Sequence, residues 1–435
     1  MTSPLPKSTR KLLPGWMVGM TDRIMDYYTK RYLQCDPVVL DRVPEPLENH
    51  KYLLYAHIPF CHTLCSFCTF HRFLFKEHTA RLYFQNLRKE MDYVKALGYD
   101  FHSMYVGGGT TTILEDELIK TLEHAKKLFP SIKEISCETD PQIITTPQFR
   151  NLKGLVDRMS IGVQSFNDDI LKLSDRYEKF GSGEQIFERL QYAQELFPTC
   201  NIDMIFGFQG QTLDMLHDDI EKITLLNPRQ VTTYPLMVTS QTKKSVKNTI
   251  ASGNSIADQY SMILDTLGSS YKQLTSWTFG RTNDEGFDEY VVDWDEYLGV
   301  GSGAFSFLNN SLYVNTFSLR RYNERISNGK TGVERRRQFD EHAIMQYRLM
   351  LRLFSHRLKR SYFKRIHGVD LDRALFKEMM GLRIAGAIKD DPNDPDNIIV
   401  TDAGKYLGLI MMKAFYSAMD NVRAELRRPL KPEDC

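Results

Sequence analysis

Three cysteines fall close together in Cys61-His62-Thr63-Leu64-Cys65-Ser66-Phe67-Cys68, while Cys35, Cys137, Cys200 and Cys435 are scattered. Thiolates at i, i+4 and i+7 can converge on one soft metal centre. A structural zinc site needs a fourth ligand, usually from a matching pair, and no second C-x-x-C occurs in the chain. His57, His62 or His71 would have to complete such a site. Three thiolates alone suit a [4Fe-4S] cluster with one iron lacking a protein ligand. That open iron can chelate an external amine and carboxylate, and reductive cleavage of a bound sulfonium then becomes accessible.

Such a loop needs a frame, and the sequence around it is periodic. Short runs rich in β-branched and aromatic residues occur at 52–58, 102–109, 134–140, 158–166, 200–208 and 230–238. They are too short for ordinary helices and read as strands. Between them, 79–97, 115–129, 184–197 and 211–226 have helical apolar spacing, as in Leu213, Leu216, Ile220 and Ile223. Alternation of this kind predicts parallel βα units. At least six units predict an α/β fold built on a partial or complete parallel (β/α) barrel. Polar and glycine residues gather at the C-terminal strand ends, where such barrels carry chemistry. The cysteine loop begins at one of these ends, after Tyr52–Ile58.

The pattern loosens after 240, with strands expected around 271–279 and 295–308. Helices are expected near 341–354, 372–380 and 403–420, with a turn at 390–397 and a short hairpin. This is a small, mostly helical, winged-helix-like C-terminal domain. The expected division is an N-terminal extension packing on the barrel (1–49), a barrel core (50–240), barrel completion with the substrate region (241–339) and the C-terminal domain (340–435). Pro37, Pro44 and Pro46 argue against a long helix just before residue 51.

The chain has 435 residues, with 56 Lys and Arg against 55 Asp and Glu. That balance gives no overall field for nucleic acid, and no recognition motif supports such a partner. No apolar run is long enough for a transmembrane segment. The N-terminus lacks a secretory apolar core, and clustered cysteines suit a reducing compartment. The expected location is cytoplasmic. Cys137 and Cys200 fall on predicted strands and read as small buried hydrophobes; Cys35 and Cys435 are assigned no role.

The C-x3-C-x2-C spacing with Phe67 before the last cysteine resembles the radical S-adenosylmethionine (radical SAM) superfamily. Tyr55-Ala56-His57-Ile58-Pro59-Phe60 resembles its oxygen-independent coproporphyrinogen oxidase group. The resemblance continues in order through Gly107-Gly108-Gly109-Thr110, Glu138-Thr139-Asp140-Pro141, Ser160-Ile161-Gly162-Val163-Gln164-Ser165-Phe166, Asp203-Met204-Ile205-Phe206-Gly207 and Tyr297-Leu298-Gly299-Val300-Gly301-Ser302-Gly303. It implies a [4Fe-4S] cluster on Cys61, Cys65 and Cys68, with S-adenosylmethionine bound beside it. In that frame Gly107, Gly108, Gly109 and Thr110 lie against the methionine end. Glu138 accepts from its amino group, Gln164 and Asp203 take the ribose hydroxyls, and Tyr55 and Phe67 position the molecule near the cluster. His57 is either a heme ligand, an acid/base group or a residue packed beneath the loop.

Departures from the oxidase pattern point to one branch. Thr111 stands where proline usually follows Gly-Gly-Gly-Thr. Asp140 replaces the usual asparagine, and Gly207-Phe208-Gln209-Gly210 replaces glycine-leucine-proline-glycine. The segments 65–70 and 235–245 resemble the heme-utilisation, anaerobilin-forming methyltransferases. This resemblance implies radical C-methylation of heme with two S-adenosylmethionine molecules, opening to a linear tetrapyrrole and release of iron. The alternatives are oxidative decarboxylation of coproporphyrinogen III and heme trafficking without turnover. No second cluster motif is present, so an external low-potential donor such as flavodoxin or ferredoxin is implied. Arg320, Arg321, Arg335, Arg336 and Arg337 are candidate cations for tetrapyrrole carboxylates, or else ordinary surface charges. Phe279, Phe305, Phe307, Tyr313 and Phe317 are candidate walls of a flat apolar pocket, or else core.

Overall fold

The computed structural model describes residues 10–238, 242, 256–281, 292 and 294–434. The first parallel strand, β1 (Tyr52–Ile58), is buried at every position. A strand buried on both faces requires layers on both sides, as parallel sheets have. It is followed in chain order by β2 (Phe101–Gly108), β3 (Glu134–Thr139), β4 (Arg158–Gln164), β5 (Thr199–Phe206) and β6 (Gln230–Pro235), all parallel to their neighbours. A seventh parallel strand, β7 (Tyr297–Val300), pairs with the other edge of β1.

Antiparallel strands extend both edges. Beyond β7 lie β8 (Phe305–Leu308), β9 (Ser311–Asn315), β10 (Val333–Gln338) and the short strand Asp36–Pro37; beyond β6 lie Thr278–Arg281 and Tyr271–Gln273. The thirteen-stranded order starts and ends on those short strands, and no pairing joins them among the described residues. The barrel is therefore partial.

The helices cover the sheet through the faces their spacing predicts. The helix α2 (Glu77–Ala96) buries Ala80, Tyr83, Phe84, Leu87, Met91 and Val94, recurring at i+3 and i+4. It is followed by α3 (Glu115–Leu128), α4 (Gly183–Leu196) and α5 (Leu213–Leu226). The start of α4 is fixed by a reciprocal capping box between Ser182 and Gln185, and α5 ends at Asn227 in the left-handed region at φ 52°, so both ends are set by local chemistry.

Two elements differ from the sequence expectation. The N-terminal extension contains a helix, α1 (Gly15–Tyr32), that the sequence pattern did not mark. Its start follows Pro14, and its inner face buries Met25 and Thr29. At the other end, α6 (Glu341–Phe354) matches the expected bounds, and the hairpin strands Ile388–Asp390 and Asn397–Val400 form with Leu358–Lys359 a three-stranded sheet. The last helix, α7 (Asp402–Arg427), then runs past the expected end at 420. Its apolar face continues through Met419, and its last turns reach the cysteine loop. No helix among the described residues is long and apolar enough to cross a membrane.

Candidate functional site at the cysteine loop

The loop is a lasso closed at its root. Phe60–Cys61 pairs in parallel with Phe73–Leu74; Phe73 N donates to Pro59 O at 2.6 Å and Phe75 N to Cys61 O at 2.9 Å. Inside the lasso, Arg72 Nη2 donates to the carbonyls of Cys65 at 2.9 Å and Cys68 at 2.6 Å. One guanidinium thus fixes the backbone of two of the three cysteines and brings a positive charge to their sulfurs. Burial pushes the Cys68 thiol up to about 11 against the pull of Arg72, and it raises Cys61 in the same way.

Sulfur spacing tests what they fit. Thiolates around one tetrahedral zinc, each about 2.3 Å away, stand about 3.8 Å apart. Among the described residues, the ligand atoms that gather in threes within 4.8 Å are those of His217, Asp218 and Glu221 on α5, not the cysteine sulfurs. The three cysteine sulfurs are therefore not gathered at the spacing of a single ion. The histidines needed for zinc are engaged otherwise. His57 contacts Tyr55 Oη through Nδ1 at 2.8 Å and His71 O through Nε2 at 2.9 Å. Burial holds its pKa down to about 4. His71 contacts Ser302 Oγ at 3.2 Å, and the His62 ring packs edge-on against Phe75. His57 is thus packed beneath the loop.

The glycine run abuts the loop root. Gly109 N donates to Ile58 O and Thr110 N to Phe60 O, both at 2.7 Å. A Cβ on Gly109 would lie 2.4 Å from Phe60 O, which no side chain tolerates. A Cβ on Gly107 would lie 3.0 Å from the Glu138 carboxylate. Glu138 accepts from Tyr105 Oη at 2.8 Å and Gly108 N at 3.0 Å, and burial raises its pKa. The Tyr105 ring stacks on Tyr55 with centroids 6.2 Å apart. Thr110 Oγ1 donates to Asp140 at 3.0 Å, and Lys179 pairs with the same carboxylate at 2.8 Å.

Gln164 ends β4 at φ 76°, an uncommon conformation for a non-glycine residue. Asp203 on β5 accepts from Ser160 Oγ at 2.9 Å and Asn201 Nδ2 at 2.8 Å. Burial pushes its carboxyl up to about 7. Gly107–Thr110, Glu138 and Gln164 thus sit at or just past the C-terminal ends of neighbouring parallel strands, with Tyr55 and Asp203 farther back on β1 and β5.

Four charged residues belong with this set that sequence reasoning missed. Arg176 Nη1 lies 3.6 Å from Cys65 Sγ, with Nη2 donating to Gly162 O. Its guanidinium lies 4.3 Å from the Phe180 ring centroid and 5.9 Å from that of Phe67. From α7, Asp420 accepts from Thr69 Oγ1 at 2.6 Å, Arg423 pairs with Asp420 and lies over Phe70, and Arg427 donates to Thr69 O at 3.4 Å. Burial and Arg423 hold the Arg427 guanidinium down to about 10. Arg176 has no motif spacing to mark it. Arg423 and Arg427 lie beyond the expected end of α7 at 420, and Asp420, inside it, has no motif to mark it.

The candidate carboxylate-binding arginines are elsewhere. Arg320 faces Glu324 at 3.5 Å and Asp434 at 3.4 Å, and Arg321 faces Glu334 at 3.6 Å. Arg335, Arg336 and Arg337 lie on β10, where Arg335 and Arg336 pair with Asp36–Pro37. Arg336 covers Tyr313, and Arg337 donates to Arg31 O at 3.4 Å. None of these contacts involves the cysteine loop. Of the candidate aromatics, Phe307 clusters with Tyr55, Tyr105 and Tyr297. Phe305 and Phe317 pack with Met419, whereas Phe279 and Tyr313 belong to the main core. A cleft of about 960 Å³ between α1 and α7, lined by Val18, Asp22, Ile410 and Lys413 among others, contains none of the cysteine-site residues. In the segment Pro235–Ser245, residues 239–241 and 243–245 lie outside the described residues, as does Cys435.

Comparison with known proteins agrees with this geometry. Residues 55–223 match the profile of the Radical SAM superfamily. The oxygen-independent coproporphyrinogen III oxidase of Salmonella typhimurium is 28% identical over 299 residues, covering 63% of this chain. The match spans 65% of that relative's length. The heme chaperone HemW of Bacillus subtilis is 26% identical, covering 83% of this chain and 98% of its own. The anaerobilin synthase of Escherichia coli O157:H7 is 27% identical, covering 67% and 68%. Among solved structures, coproporphyrinogen III oxidase from Escherichia coli superposes with a TM-score of 0.69 at 22% identity, over 84% of this chain and 90% of that one. That likeness establishes a shared fold. The superfamily implies a [4Fe-4S] cluster and S-adenosylmethionine.

Proposed function

From the premise that this chain belongs to the radical SAM superfamily, in its coproporphyrinogen-oxidase-like group, we propose that it is an anaerobic tetrapyrrole-processing enzyme. More finely, we propose a C-methyltransferase that acts on heme, opening it to a linear tetrapyrrole (anaerobilin) and releasing iron. The observation that supports the finer reading is that Phe208, which departs from the oxidase pattern, packs with Phe67 and Leu236 of the two segments that resemble the heme-utilisation branch. Thr111 Oγ1 donates to Glu138 O, and its neighbour Thr110 donates to Asp140. Phe208 packs edge-on against Phe67 of the cysteine loop at 6.1 Å, with Leu236 in the same cluster.

Cys61, Cys65 and Cys68 would hold the cluster, which when bound supplies the electron for reductive sulfonium cleavage. The protein's own work is placement. Arg176, held beside Cys65 by aromatic faces, offers a cation to a carboxylate. Glu138 accepts from an ammonium group, while Gln164 and Asp203 face ribose hydroxyls. Tyr55 and Tyr105 present stacked rings between the loop and the barrel interior. Phe307 and Tyr297 belong to the same buried aromatic cluster. A second S-adenosylmethionine as methyl donor and an external low-potential electron donor, flavodoxin or ferredoxin, complete the reading.

The test is anaerobic incubation with heme, S-adenosylmethionine and reductant, followed by mass spectrometry. A methylated linear product with released iron is expected, carrying label from the isotopic methyl group. Intact heme under conditions of demonstrated S-adenosylmethionine cleavage defeats the reading. Parallel incubation with coproporphyrinogen III tests the decarboxylase alternative through carbon dioxide loss, and heme binding without turnover would indicate a chaperone.

A further inference from the structure

The ion pair between Lys179 and Asp140 joins the two segments that flank the candidate co-substrate site. Asp140 stands just past β3. Its Oδ2 accepts from Thr110 Oγ1 at 3.0 Å and from Lys179 Nζ at 2.8 Å. Its Oδ1 accepts from Gln142 N at 3.1 Å, so the carboxylate is fixed to its own strand end. Lys179 lies on the single helical turn Tyr177–Phe180, directly after Arg176. The Arg176 carbonyl accepts from Lys179 N at 3.1 Å and from Phe180 N at 2.9 Å. The Phe180 ring carries both cations, with the Arg176 guanidinium 4.3 Å and the Lys179 ammonium 4.6 Å from its centroid. Thr110 is anchored in turn to the loop root through Phe60 O. One contact thus ties the turn that aims Arg176 at the Cys65 side to the strand end that carries the glycine run.

The tie needs a charge on both sides. The Lys179 and Asp140 side chains are only 9% and 13% exposed. Asparagine at 140, the residue of the oxidase pattern, could still accept from Thr110. It would leave a largely buried ammonium without its counter-ion, which is costly. The departure at 140 and the lysine 39 residues later are therefore one feature. A buried ion pair is weak evidence for stability; what this one supplies is the placement of one segment against the other.

We propose that Lys179 is a positioning residue for S-adenosylmethionine: its pair with Asp140 sets Arg176 against Gly107–Thr110, and so fixes how the carboxylate and amino group of the co-substrate are held together beside the cysteine loop. The inference rests on the reading that Arg176 and the glycine run bind that molecule. Lys179 acts through Arg176 and Thr110. Its ammonium is also within electrostatic reach of Cys61, a separate role that iron content reports.

The test uses the cluster-loaded full chain carrying Lys179→Met, Asp140→Asn, or both. Equilibrium dialysis gives S-adenosylmethionine affinity, and reductive cleavage gives KM and kcat. Each single variant should bind at least about fivefold more weakly, and the double variant should be no worse than the weaker single, because both changes break one contact. The cleavage rate at saturating S-adenosylmethionine should fall as well, since a misplaced co-substrate is bound but poorly aligned. Lys179→Arg, which keeps the charge, should recover much of both. Iron content should match the wild type throughout. Wild-type affinity in both single variants overturns the inference. So do losses that multiply in the double variant, which would mean that the two residues act separately. Iron loss in step with the loss of affinity also overturns it, by assigning Lys179 to the cysteine loop. A wild type that binds S-adenosylmethionine normally under those outcomes leaves the proposed site intact. A loaded wild type that binds none overturns both.

Discussion

Thr69, directly after the last clustered cysteine, donates its hydroxyl hydrogen to Asp420 on α7 at 2.6 Å, across 351 residues of chain. Both residues are buried. The bond makes the C-terminal helix part of the cysteine site rather than a neighbour of it. Thr69→Val keeps the shape and leaves one oxygen of Asp420 without this donor. It should lower cluster-free stability by about 1–3 kcal/mol, measured by urea denaturation. A change within experimental error would mean that Arg423 alone satisfies Asp420.

The strand–helix frame was legible because its signals are local. Every parallel strand from Tyr52–Ile58 to Gln230–Pro235 was expected within a few residues, since each is a short buried run bounded by turn residues. The cysteine spacing was equally plain. Arg176, Asp420, Arg423 and Arg427 were not, because their roles depend on which distant segment arrives beside the loop. Helix α1 was missed for a related reason. Its solvent face carries Trp16, Met20, Ile24 and Tyr27, all exposed, so apolar residues lie on both sides and no single stripe stands out. The arginines at 320–321 and 335–337 show the reverse failure: composition marked them, but the fold spends Arg320 and Arg321 on local ion pairs and Arg335–Arg337 on contacts at the sheet edge.

Asp203 makes a signed prediction about pH. Burial raises its carboxyl from 3.8 to about 7, against the pull of Arg158, Ser160 and Asn201. Between those values the folded protein binds a proton that the unfolded chain has released. The associated stability is fully present below 3.8 and is lost as pH rises through about 7. Asp203→Asn removes this dependence, so the variant should gain on the wild type by up to about 1.4 kcal/mol per pH unit across the window. Glu90 and Asp219 are raised to about 7 and about 6 for the same cause. The difference between variant and wild type isolates Asp203. Parallel stability curves for the two proteins would contradict the assignment.

Gly109 tests the close approach at the loop root. Its Cβ position lies 2.4 Å from the Phe60 carbonyl oxygen, a backbone atom that cannot swing away. Gly109→Ala should therefore displace the strand end that feeds Cys61. The expected result is a loss of iron content after anaerobic reconstitution to less than about half of wild type, with a destabilisation of about 2 kcal/mol or more. Full iron content with wild-type stability would show that the root adjusts freely.

Arg176 tests the placement of the co-substrate. Its guanidinium is oriented by the Gly162 carbonyl and by the Phe67 and Phe180 rings, which leaves it directed at the Cys65 side of the site. Arg176→Met keeps much of the apolar stem and removes the cation. S-Adenosylmethionine affinity in the cluster-loaded protein should fall about tenfold or more, or roughly 1.4 kcal/mol, as read by equilibrium dialysis. Arg176→Lys should recover only part of this, because an ammonium cannot reproduce a planar fork. Equal affinity in all three proteins would remove Arg176 from the binding set.

Phe208 tests whether the remodelled wall governs the reaction. It is fully buried, packs on Phe67 with an interplanar angle of 85°, and shares a small cluster with Ile170 and Leu236. Phe208→Leu restores the side chain of the oxidase pattern while keeping the position apolar. The cost in stability should stay near 1 kcal/mol, since a volume-similar apolar exchange disturbs packing only modestly. Iron content should be unchanged, because no cysteine is touched. If the wall sets the substrate, heme turnover should fall about tenfold while S-adenosylmethionine cleavage without substrate conversion persists, measured by mass spectrometry of both product pools. A parallel fall in cleavage and heme turnover would mean that Phe208 supports the cysteine loop through Phe67 and has no separate part in substrate choice.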